Sequence, residues 1–230
     1  MKTGAIIFSR MNSKRLPGKA LKLISGKPLI EWVVDRVKQI RNVDHICIAT
    51  TKNNEDDLIE EFAASKNIDI YRGKDKDVAH RALEACLKFN YKNFLRICGD
   101  RPFIDSNIFE ELISKHTSKI DITTNLFPRC VPPGLSAEII NIKALKKIIS
   151  ISSNDLDREH ITRYIYNNPD KFIIKHVNHN NKFNDQKNVS LVLDSKEDLL
   201  KIRWITEKNK VDDLDSSRVI NSAIQWETLN

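Results

Sequence analysis

The sequence "RMNSKRLPGK", residues 10–19, directly follows the apolar run "GAIIFS" and carries four basic side chains: Arg10, Lys14, Arg15 and Lys19. Like charges this close repel one another, so the grouping costs stability unless an anion lies among them. Cationic side chains on a loop with a flexible backbone can hold phosphate groups. Neither of the two common glycine-rich phosphate loops, G-x-x-x-x-G-K-[ST] and G-x-G-x-x-G, is present. The alternative interpretation is that these residues only keep a surface loop soluble.

Two carboxylates stand at similar positions after other apolar runs. Asp100 follows "NFLRIC" and Gly99, and Asp194 ends the run "VSLVLD". Each has a local alternative, because Asp100 could cap a turn and Asp194 could cap the helix that begins after it. Mg²⁺ binds one or two carboxylates and completes its shell with phosphate and water. The pair beside a cationic loop is therefore typical of a site for a nucleotide and Mg²⁺.

The elements that must position these residues alternate through the first 120 residues. Apolar strands are predicted at "GAIIFS", "HICIAT", "IDIYRG" and "NFLRIC", with amphipathic helices at "PLIEWVVDRVKQI", "EDDLIEEFAASK", "DVAHRALEACLKF" and "NIFEELISKH". Such alternation predicts an α/β fold with a parallel or mostly parallel sheet covered by helices on both faces. Ligands of open α/β sheets bind beyond the carboxyl ends of the strands, where the basic loop and both carboxylates are expected.

The pattern loosens after residue 120. Strands are predicted at "DITTN", "SAEIINI", "KFIIKHV" and "VSLVLD", and helices at "ALKKIIS", "REHITRYIYNN", "KEDLLKIRWITEK" and "SRVINSAIQWETL". The Pro-rich "FPRCVPPG" and the polar "NHNNKFNDQKN" are predicted to be loops. No repeat or linker separates these elements, so we expect a single domain over residues 1–230 with a small excursion at about 126–190.

Composition narrows the class of protein. The chain has 230 residues, 40% hydrophobic and 30% charged, as in a folded soluble domain. Its net charge of +7 suits an anionic ligand. No basic stripe or aromatic platform indicates nucleic-acid binding. No apolar run is long enough for a membrane span or a signal peptide, which predicts a cytoplasmic protein. The four cysteines lack a C-x-x-C pair and are expected to be free thiols.

The motifs taken together resemble one family. The stretch "RMNSKRLPGK" resembles the R-x-G-S-x-R-L-P-x-K signature of cytidylyltransferases that activate acidic sugars, such as those making CMP-Kdo and CMP-sialic acid. The segments "GDRPFID", "PPGLSAEIINIKAL", "DREHITRYI" and "LVLDSKEDL" are similar to the spore-coat polysaccharide (SpsF-like) branch. The matches run in order from residue 5 to about residue 205. This resemblance implies a Rossmann-like nucleotidyltransferase fold with a mixed sheet of roughly seven strands.

The resemblance also implies roles for particular residues. The nucleotide would be bound by Arg10, Ser13, Arg15, Lys19 and Arg81, and Mg²⁺ by Asp100 and Asp194. Lys19, Arg10 and Asp100 would be the catalytic residues, and we expect Lys19 to face solvent and contribute little to stability. Asn12 replaces the usual glycine of the signature. Since asparagine tolerates a left-handed backbone, the turn is expected to survive. The substitution could also alter how closely the loop approaches the phosphates.

The pocket for the second substrate is harder to predict. Gly134, Glu138, Arg158 and His160 are expected to bind the acceptor. Arg158 suits a carboxylate. The alternative for the segment "DREHITRY" is a helix start capped by Asp157.

The expected activity is transfer of CMP from CTP to an acidic sugar of the sialic, legionaminic or Kdo type, with release of pyrophosphate, for surface polysaccharide synthesis. The enzymatic alternative uses another nucleotide such as GTP, or a phosphorylated or phosphonate acceptor. A more remote alternative is a non-catalytic nucleotide-binding protein on the same scaffold, against which the joint presence of the basic loop and both aspartates argues. Related enzymes are commonly dimers, so a homodimer is also expected.

Overall fold

The four early apolar runs form neighbouring parallel strands in a computed structural model that describes residues 2–183, 186–209 and 214–229. These strands are β1 (Thr3–Phe8), β4 (His45–Thr51), β5 (Asp69–Gly73) and β6 (Asn93–Cys98). Strand β1 lies between β4 and β6, and its last residue Phe8 pairs with Ala49 on one side and Cys98 on the other. Because the strands end level, the loops that follow β1 and β6 meet at one edge of the sheet.

The complete sheet has seven strands in the order β5-β4-β1-β6-β8-β7-β9. The later strands are β7 (Ile122–Thr124), β8 (Glu138–Asn141) and β9 (Ile174–His176), and a separate small hairpin joins β2 (Leu23–Ile24) to β3 (Lys27–Pro28). In the large sheet, only β8 runs antiparallel to its neighbours β6 and β7. The prediction of a mostly parallel mixed sheet flanked by helices is confirmed.

Helices follow most strands. Their bounds are α1 (Leu29–Lys38), α2 (Asp57–Ser65), α3 (Val78–Lys88), α4 (Ser106–Lys115), α5 (Ile142–Ile151), α6 (Asp155–Glu159), α7 (Arg163–Asn167), α8 (Asn180–Phe183), α9 (Lys196–Lys208) and α10 (Ser216–Leu229), with 3₁₀ turns at Lys19–Leu21, Asn54–Asp56 and Pro169–Lys171. Within the described residues, no helix combines the length and the apolar character that crossing a bilayer requires.

Two apolar cores lie on the two faces of the sheet. Side chains of α1, α2, α4, α9 and α10 pack on one face, and those of α3, α5 and the α7 region pack on the other. Alternate residues of β1 divide between them, since Ile7 is in the first core and Ile6 in the second. Each fully buried Ile or Leu contributes about 1.5–3 kcal/mol relative to leaving it exposed. The central strands, whose carboxyl ends carry the loops after β1 and β6, are therefore packed on both faces of the sheet.

The predicted strand "VSLVLD" is wrong. Residues 189–194 alternate between buried and partly exposed, but they pair with no strand. The backbone N–H of Leu191 donates to the carbonyl of Pro133 (2.8 Å), and that of Leu193 donates to the carbonyl of Asp100 (2.9 Å). Because the two acceptors lie on different loops, the segment packs between those loops instead of joining the sheet.

The predicted continuous helix "REHITRYIYNN" is also wrong. Helix α6 ends at Glu159, and His160 has φ −107° and ψ 81°, outside the helical region. Helix α7 then starts at Arg163. The break lets the following Ile161 enter the core while Glu159 and His160 line a cleft at the sheet edge. Residues 184 and 185 of the predicted polar loop lie outside the described residues.

Candidate active site

A cleft of about 590 Å³ opens at the carboxyl ends of β1 and β6. Its walls come from the loop after β1, the start of α3, the end of β6, the end of α6 and the end of the segment 189–194. The predicted site residues that line it are Arg10, Ser13, Arg15, Lys19, Arg81, Asp100, His160 and Asp194. The residues predicted to bind the nucleotide and the metal therefore line one cavity.

The basic loop is anchored by Asp56, a residue that the sequence motifs do not single out. One oxygen of the Asp56 carboxylate accepts the backbone N–H of Met11 (2.7 Å), and the other accepts the hydroxyl of Thr50 (2.8 Å) and the N–H of Thr51 (2.9 Å). Burial raises the pKa of Asp56, but these hydrogen bonds outweigh it and hold the pKa below its ordinary value. The signal was present in the two threonines that end β4, followed closely by an acidic residue.

The loop closes upon itself above this anchor. The N–H groups of Ser13 and Gly18 both donate to the carbonyl of Met11 at 2.9 Å. Gly18 has φ 70°, a left-handed conformation that glycine adopts without steric cost. Asn12 is not in the left-handed region. A left-handed backbone at residue 12, which asparagine was expected to tolerate, is therefore not present.

Lys19 lies between the two predicted metal ligands. Its Nζ is 2.9 Å from Oδ2 of Asp100 and 2.8 Å from Oδ1 of Asp194, and it also donates to the carbonyl of Leu193 (3.1 Å). The lysine side chain is 15% exposed, so the expectation that it faces solvent is wrong. Burial is the largest influence and lowers the pKa of Lys19, but the two carboxylates together outweigh it and raise the pKa above its ordinary value. The ammonium group and the two carboxylates therefore form one hydrogen-bonded cluster of ion pairs.

The local alternatives for the two aspartates are not what the structure shows. Helix α9 is capped by Ser195, whose side chain forms a capping box with Asp198. Asp194 is therefore not the cap of this helix. Asp100 is brought beside β1 by Gly99, because a Cβ on Gly99 would lie 2.8 Å from the carbonyl oxygen of Phe8. Both carboxylates therefore point toward Lys19.

This donor set fits Mg²⁺. The two carboxylate oxygens that contact Lys19 are at most 5.7 Å apart, the sum of their distances to its Nζ. A cation already lies between them, and Mg²⁺ prefers one or two carboxylates with phosphate and water as its other ligands. No group of three or more His, Cys, Asp or Glu side chains that could hold a metal occurs in the described part of the chain. Oxygens of a bound phosphate and of water would complete the shell of a Mg²⁺ ion held here.

Four arginines line the cleft, and three of them, Arg10, Arg15 and Arg81, differ in their partners. Arg15 pairs with Asp194 at 2.5 Å, and Arg10 pairs with Asp75 at 2.7 Å. Arg81 is buried and donates to the carbonyl of Lys74 (2.8 Å), while its Nε has no hydrogen-bond partner. Burial, followed by the positive charge of Arg10, lowers the pKa of Arg81. The two neighbouring guanidinium groups make this side of the cleft attractive to phosphate.

The structure brings only one of the four predicted acceptor residues, His160, to the cleft. Arg158 instead donates to the carbonyl of Ile149 (2.7 Å). Gly134, with φ 106°, packs so closely on Leu191 that a Cβ would lie 2.7 Å from the leucine Cβ. Glu138 is buried beneath the cleft. These three residues do not line it.

The proposed helix cap at Asp157 is wrong. Asn154 caps α6 by accepting the N–H of Leu156. The Asp157 carboxylate is buried and accepts hydrogen bonds from Ser152 (2.6 Å) and Arg163 (2.5 Å). Its role is to tie α6 to α7.

A buried charge pair in the floor of the cleft was also missed. Arg96 of β6 lines the cleft, and its Nη1 donates to Oε2 of Glu138 at 2.6 Å. The hydroxyl of Tyr166 donates to the other carboxylate oxygen at 2.6 Å. Burial opposes both charges, yet Arg96 holds the pKa of Glu138 below its ordinary value, and the pKa of Arg96 is raised. The signal was a charged residue within the apolar strand "NFLRIC".

Comparison with known proteins gives a consistent result. A family model described as cytidylyltransferase matches residues 4–220. The spore coat polysaccharide biosynthesis protein SpsF of Bacillus subtilis is 28% identical over 208 residues, which are 88% of this chain and 85% of that protein. The 3-deoxy-manno-octulosonate cytidylyltransferase 2 of Hydrogenovibrio crunogenus is 29% identical over 117 residues, 50% of this chain and 46% of that protein. A solved cytidylyltransferase from Leptospira borgpetersenii superimposes with a TM-score of 0.92 at 28% identity, covering 100% of this chain and 96% of that one.

Proposed function

The chain belongs to the cytidylyltransferase family, and from that premise we propose that it transfers CMP from CTP to a small acidic sugar and releases pyrophosphate. Enzymes of this family are nucleotidyltransferases. The acidic sugar is proposed because a relative's name specifies 3-deoxy-manno-octulosonate, a sugar acid. The role in surface polysaccharide synthesis is proposed from the name of SpsF.

One observation carries the proposal: Lys19, Asp100 and Asp194 converge in the cleft beside the basic loop. The ammonium group contacts both carboxylates within 2.9 Å. The loop adds Arg10 and Arg15, so the cavity offers several cations and two acids. A nucleoside triphosphate with a divalent cation carries the complementary charges.

The chemistry follows from positioning and charge. The acceptor oxygen attacks the α-phosphorus of CTP in line, the bond to the β-phosphate breaks, and the hydroxyl proton passes to water. Mg²⁺ held by Asp100 and Asp194 would neutralise phosphate charge and favour loss of that proton. Lys19 and Arg10 would bind the phosphate oxygens, where negative charge builds up in the transition state. Holding both substrates in line is the larger contribution, since phosphoryl transfer needs little covalent help from the protein.

The proposal is tested by measuring pyrophosphate release with each of the four nucleoside triphosphates. The acceptors are 3-deoxy-manno-octulosonate, N-acetylneuraminate, a sugar phosphate, a phosphonate and a neutral sugar. We expect turnover with CTP and an acidic sugar, and mass spectrometry should find the CMP-sugar. Faster turnover with GTP would contradict the nucleotide assignment. Turnover only with the sugar phosphate or the phosphonate would contradict the acceptor assignment.

The metal assignment is tested by Asp100→Asn and Asp194→Asn. These variants keep the side-chain size and remove one charge each. We expect both to lose nearly all activity and to weaken Mn²⁺ binding, which can be followed by electron paramagnetic resonance in the presence of CTP. Asp215→Asn, an exposed aspartate near α10, is the control. Mn²⁺ affinity equal to wild type in both cleft variants would contradict the shared metal site.

A further inference from the structure

Three arginines lie around Ser136 and the buried Glu138, and two of them have no acidic partner within the described residues. Arg96 pairs with Glu138 at 2.6 Å. Arg101 donates to the carbonyl of Ser136 (3.0 Å), and Arg129 donates to the hydroxyl of Ser136 (3.0 Å). Since Arg101 and Arg129 contact the same residue, their guanidinium groups are neighbours. Neither makes an ion pair with a carboxylate of the described residues.

The charges in this cluster do not balance. Burial and the nearby charge of Arg101 lower the pKa of Arg129, which is the effect of two cations held together. Glu138 partly offsets this, but its carboxylate already bonds Arg96 and Tyr166. The Nε of Arg101 is buried and has no hydrogen-bond partner. Arg129 is exposed, so water offsets part of this repulsion, and a bound anion would offset the remainder.

The cluster adjoins the reacting centre. Arg101 follows Asp100 directly in the chain, and Arg96 lines the same cleft as Asp100 and Lys19. The segment that carries Ser136 begins at Pro133, whose carbonyl accepts the N–H of Leu191 in the extended segment leading to Asp194. An anionic group bound by the arginines would therefore belong to a molecule that reaches the cleft.

The free donors also have the right form. Arg96 uses Nη1 for Glu138, and no described protein atom accepts from its Nε or Nη2. A guanidinium group presents its donors in a planar fork that matches the oxygens of carboxylate or phosphate. Glu138 fixes the Arg96 side chain, so that fork is oriented in advance.

We propose that Arg96, Arg101 and Arg129 form the subsite for the anionic group, carboxylate or phosphate, of the acceptor. This inference rests on the proposed function, because that function supplies the acceptor. Arg96 would contact the anion from the floor of the cleft, whereas Arg101 and Arg129 lie beyond its lining and would contact the part of the acceptor that extends past it. The hydroxyl of Ser136 orients Arg129.

The test measures binding and does not need turnover. The protein is saturated with α,β-methylene-CTP and Mg²⁺ to occupy the phosphate loop, and ligands are then titrated by calorimetry. The probes are 3-deoxy-manno-octulosonate, pyruvate, inorganic phosphate and neutral mannose. Arg101→Gln and Arg129→Gln are the main variants, because neither leaves a buried carboxylate without its partner. Each should weaken the anionic probes roughly 10-fold or more, the usual loss for a charged hydrogen bond, and should change nucleotide affinity less than about 2-fold.

Two controls make the result specific. Arg41→Gln removes a guanidinium that is 80% exposed, before the amino end of β4 and far from the cleft. It should leave the affinity of every probe unchanged. Arg96 is tested as Arg96→Gln combined with Glu138→Gln, which removes both buried charges together, and circular dichroism checks that this variant folds. In the variants, the loss of affinity is compared for pyruvate and for phosphate. The anion with the larger loss is the one that the subsite prefers.

The outcomes separate this inference from the proposed function. Anionic probes that bind Arg101→Gln and Arg129→Gln as tightly as wild type, or that do not bind wild type, overturn the subsite. Binding that depends on these arginines, in a protein that makes no CMP-sugar, overturns the proposed function and leaves the subsite standing. If the protein forms the CMP-sugar and both variants keep the wild-type KM for the acceptor, the subsite is overturned and the proposed function stands.

Discussion

Replacement of Lys19 by methionine tests the centre of the site, because it keeps the length of the side chain and removes the charge shared by two carboxylates. The wild-type ammonium group contacts Asp100, Asp194 and the carbonyl of Leu193 within 3.1 Å. A methionine thioether donates no hydrogen bond. Two consequences are expected, one for turnover and one for stability.

The turnover should fall by about 10²–10³-fold, the usual loss when one group that stabilises transition-state charge is removed. This loss corresponds to about 2.7–4 kcal/mol. It should fall mainly on kcat, since the remaining arginines of the cleft still bind the phosphates in the ground state.

The stability should also fall, because the two carboxylates then repel each other. At the upper limit of 5.7 Å between their oxygens, the repulsion is about 3 kcal/mol for an effective dielectric constant of about 20, and about 0.7 kcal/mol in bulk water. The two aspartate side chains are 25% and 33% exposed, so we expect an intermediate loss of about 1–2 kcal/mol. For a chain of this size, each kcal/mol lowers the Tm by about 2–4 °C.

The assay combines urea denaturation with steady-state kinetics, each with and without millimolar Mg²⁺. Mg²⁺ should restore part of the lost stability and none of the lost turnover. Lys22→Met is the control, since Lys22 is exposed and lies just beyond the same loop. If Lys19→Met and Lys22→Met are equally stable and equally active, the central role of Lys19 is refuted. A loss of activity that only follows the unfolded fraction would refute the catalytic part alone.

Three further results are expected. Asp56→Asn should lower the free energy of unfolding by about 2 kcal/mol, because a buried acceptor of several hydrogen bonds is lost. It should also raise the KM for CTP, because Met11 is held less firmly. Urea denaturation measures the first effect and steady-state kinetics the second. Burial lowers the pKa of His116 to about 4, so the unfolded chain takes up a proton first and stability falls as the pH drops from about 6.5 toward 4. His116→Gln should flatten that pH dependence in thermal denaturation, and an unchanged profile would contradict this assignment. Gly99→Ala should cost about 1–3 kcal/mol and lower kcat, since its Cβ would displace the chain beside Phe8 and move the following carboxylate; a stable, active variant would show that the close approach is not needed.

Much of the fold follows from local patterns. The apolar strands and amphipathic helices before residue 120 were predicted because each buries a face with its own period, 2 or about 3.6 residues. Ligands of open α/β sheets bind beyond the carboxyl ends of the strands, and this rule predicts Lys19 and Asp100 at one edge of the sheet. Asp194 was expected at that edge for a wrong reason, since the segment before it is extended but lies outside the sheet. Alternation of buried residues predicts an extended backbone and says nothing about its hydrogen-bond partner.

The remaining features depend on contacts between distant parts of the chain. Asp56 holds the basic loop through Met11, and Glu138 pairs with Arg96; each of these partners is more than 40 residues away in sequence, about which a local pattern says nothing. Arg158 was expected in the cleft, but its side chain turns back to the end of α5. Side-chain direction at a helix end depends on the local break in the backbone, which the sequence pattern of α6 and α7 did not reveal.

The extended segment that ends at Asp194 has a consequence for folding of the nascent chain during synthesis. The ribosome completes the basic loop early, whereas the second carboxylate that Lys19 contacts, that of Asp194, is made 175 residues later. Domains fold as units during synthesis at about 5–20 residues per second, so β1 to β6 can pair before that carboxylate exists. A chain cut short before residue 189 lacks it even when those strands have folded. If the proposed function holds, we therefore expect the nascent protein to gain activity only after residues 189–194 have packed against the loops at Asp100 and Pro133.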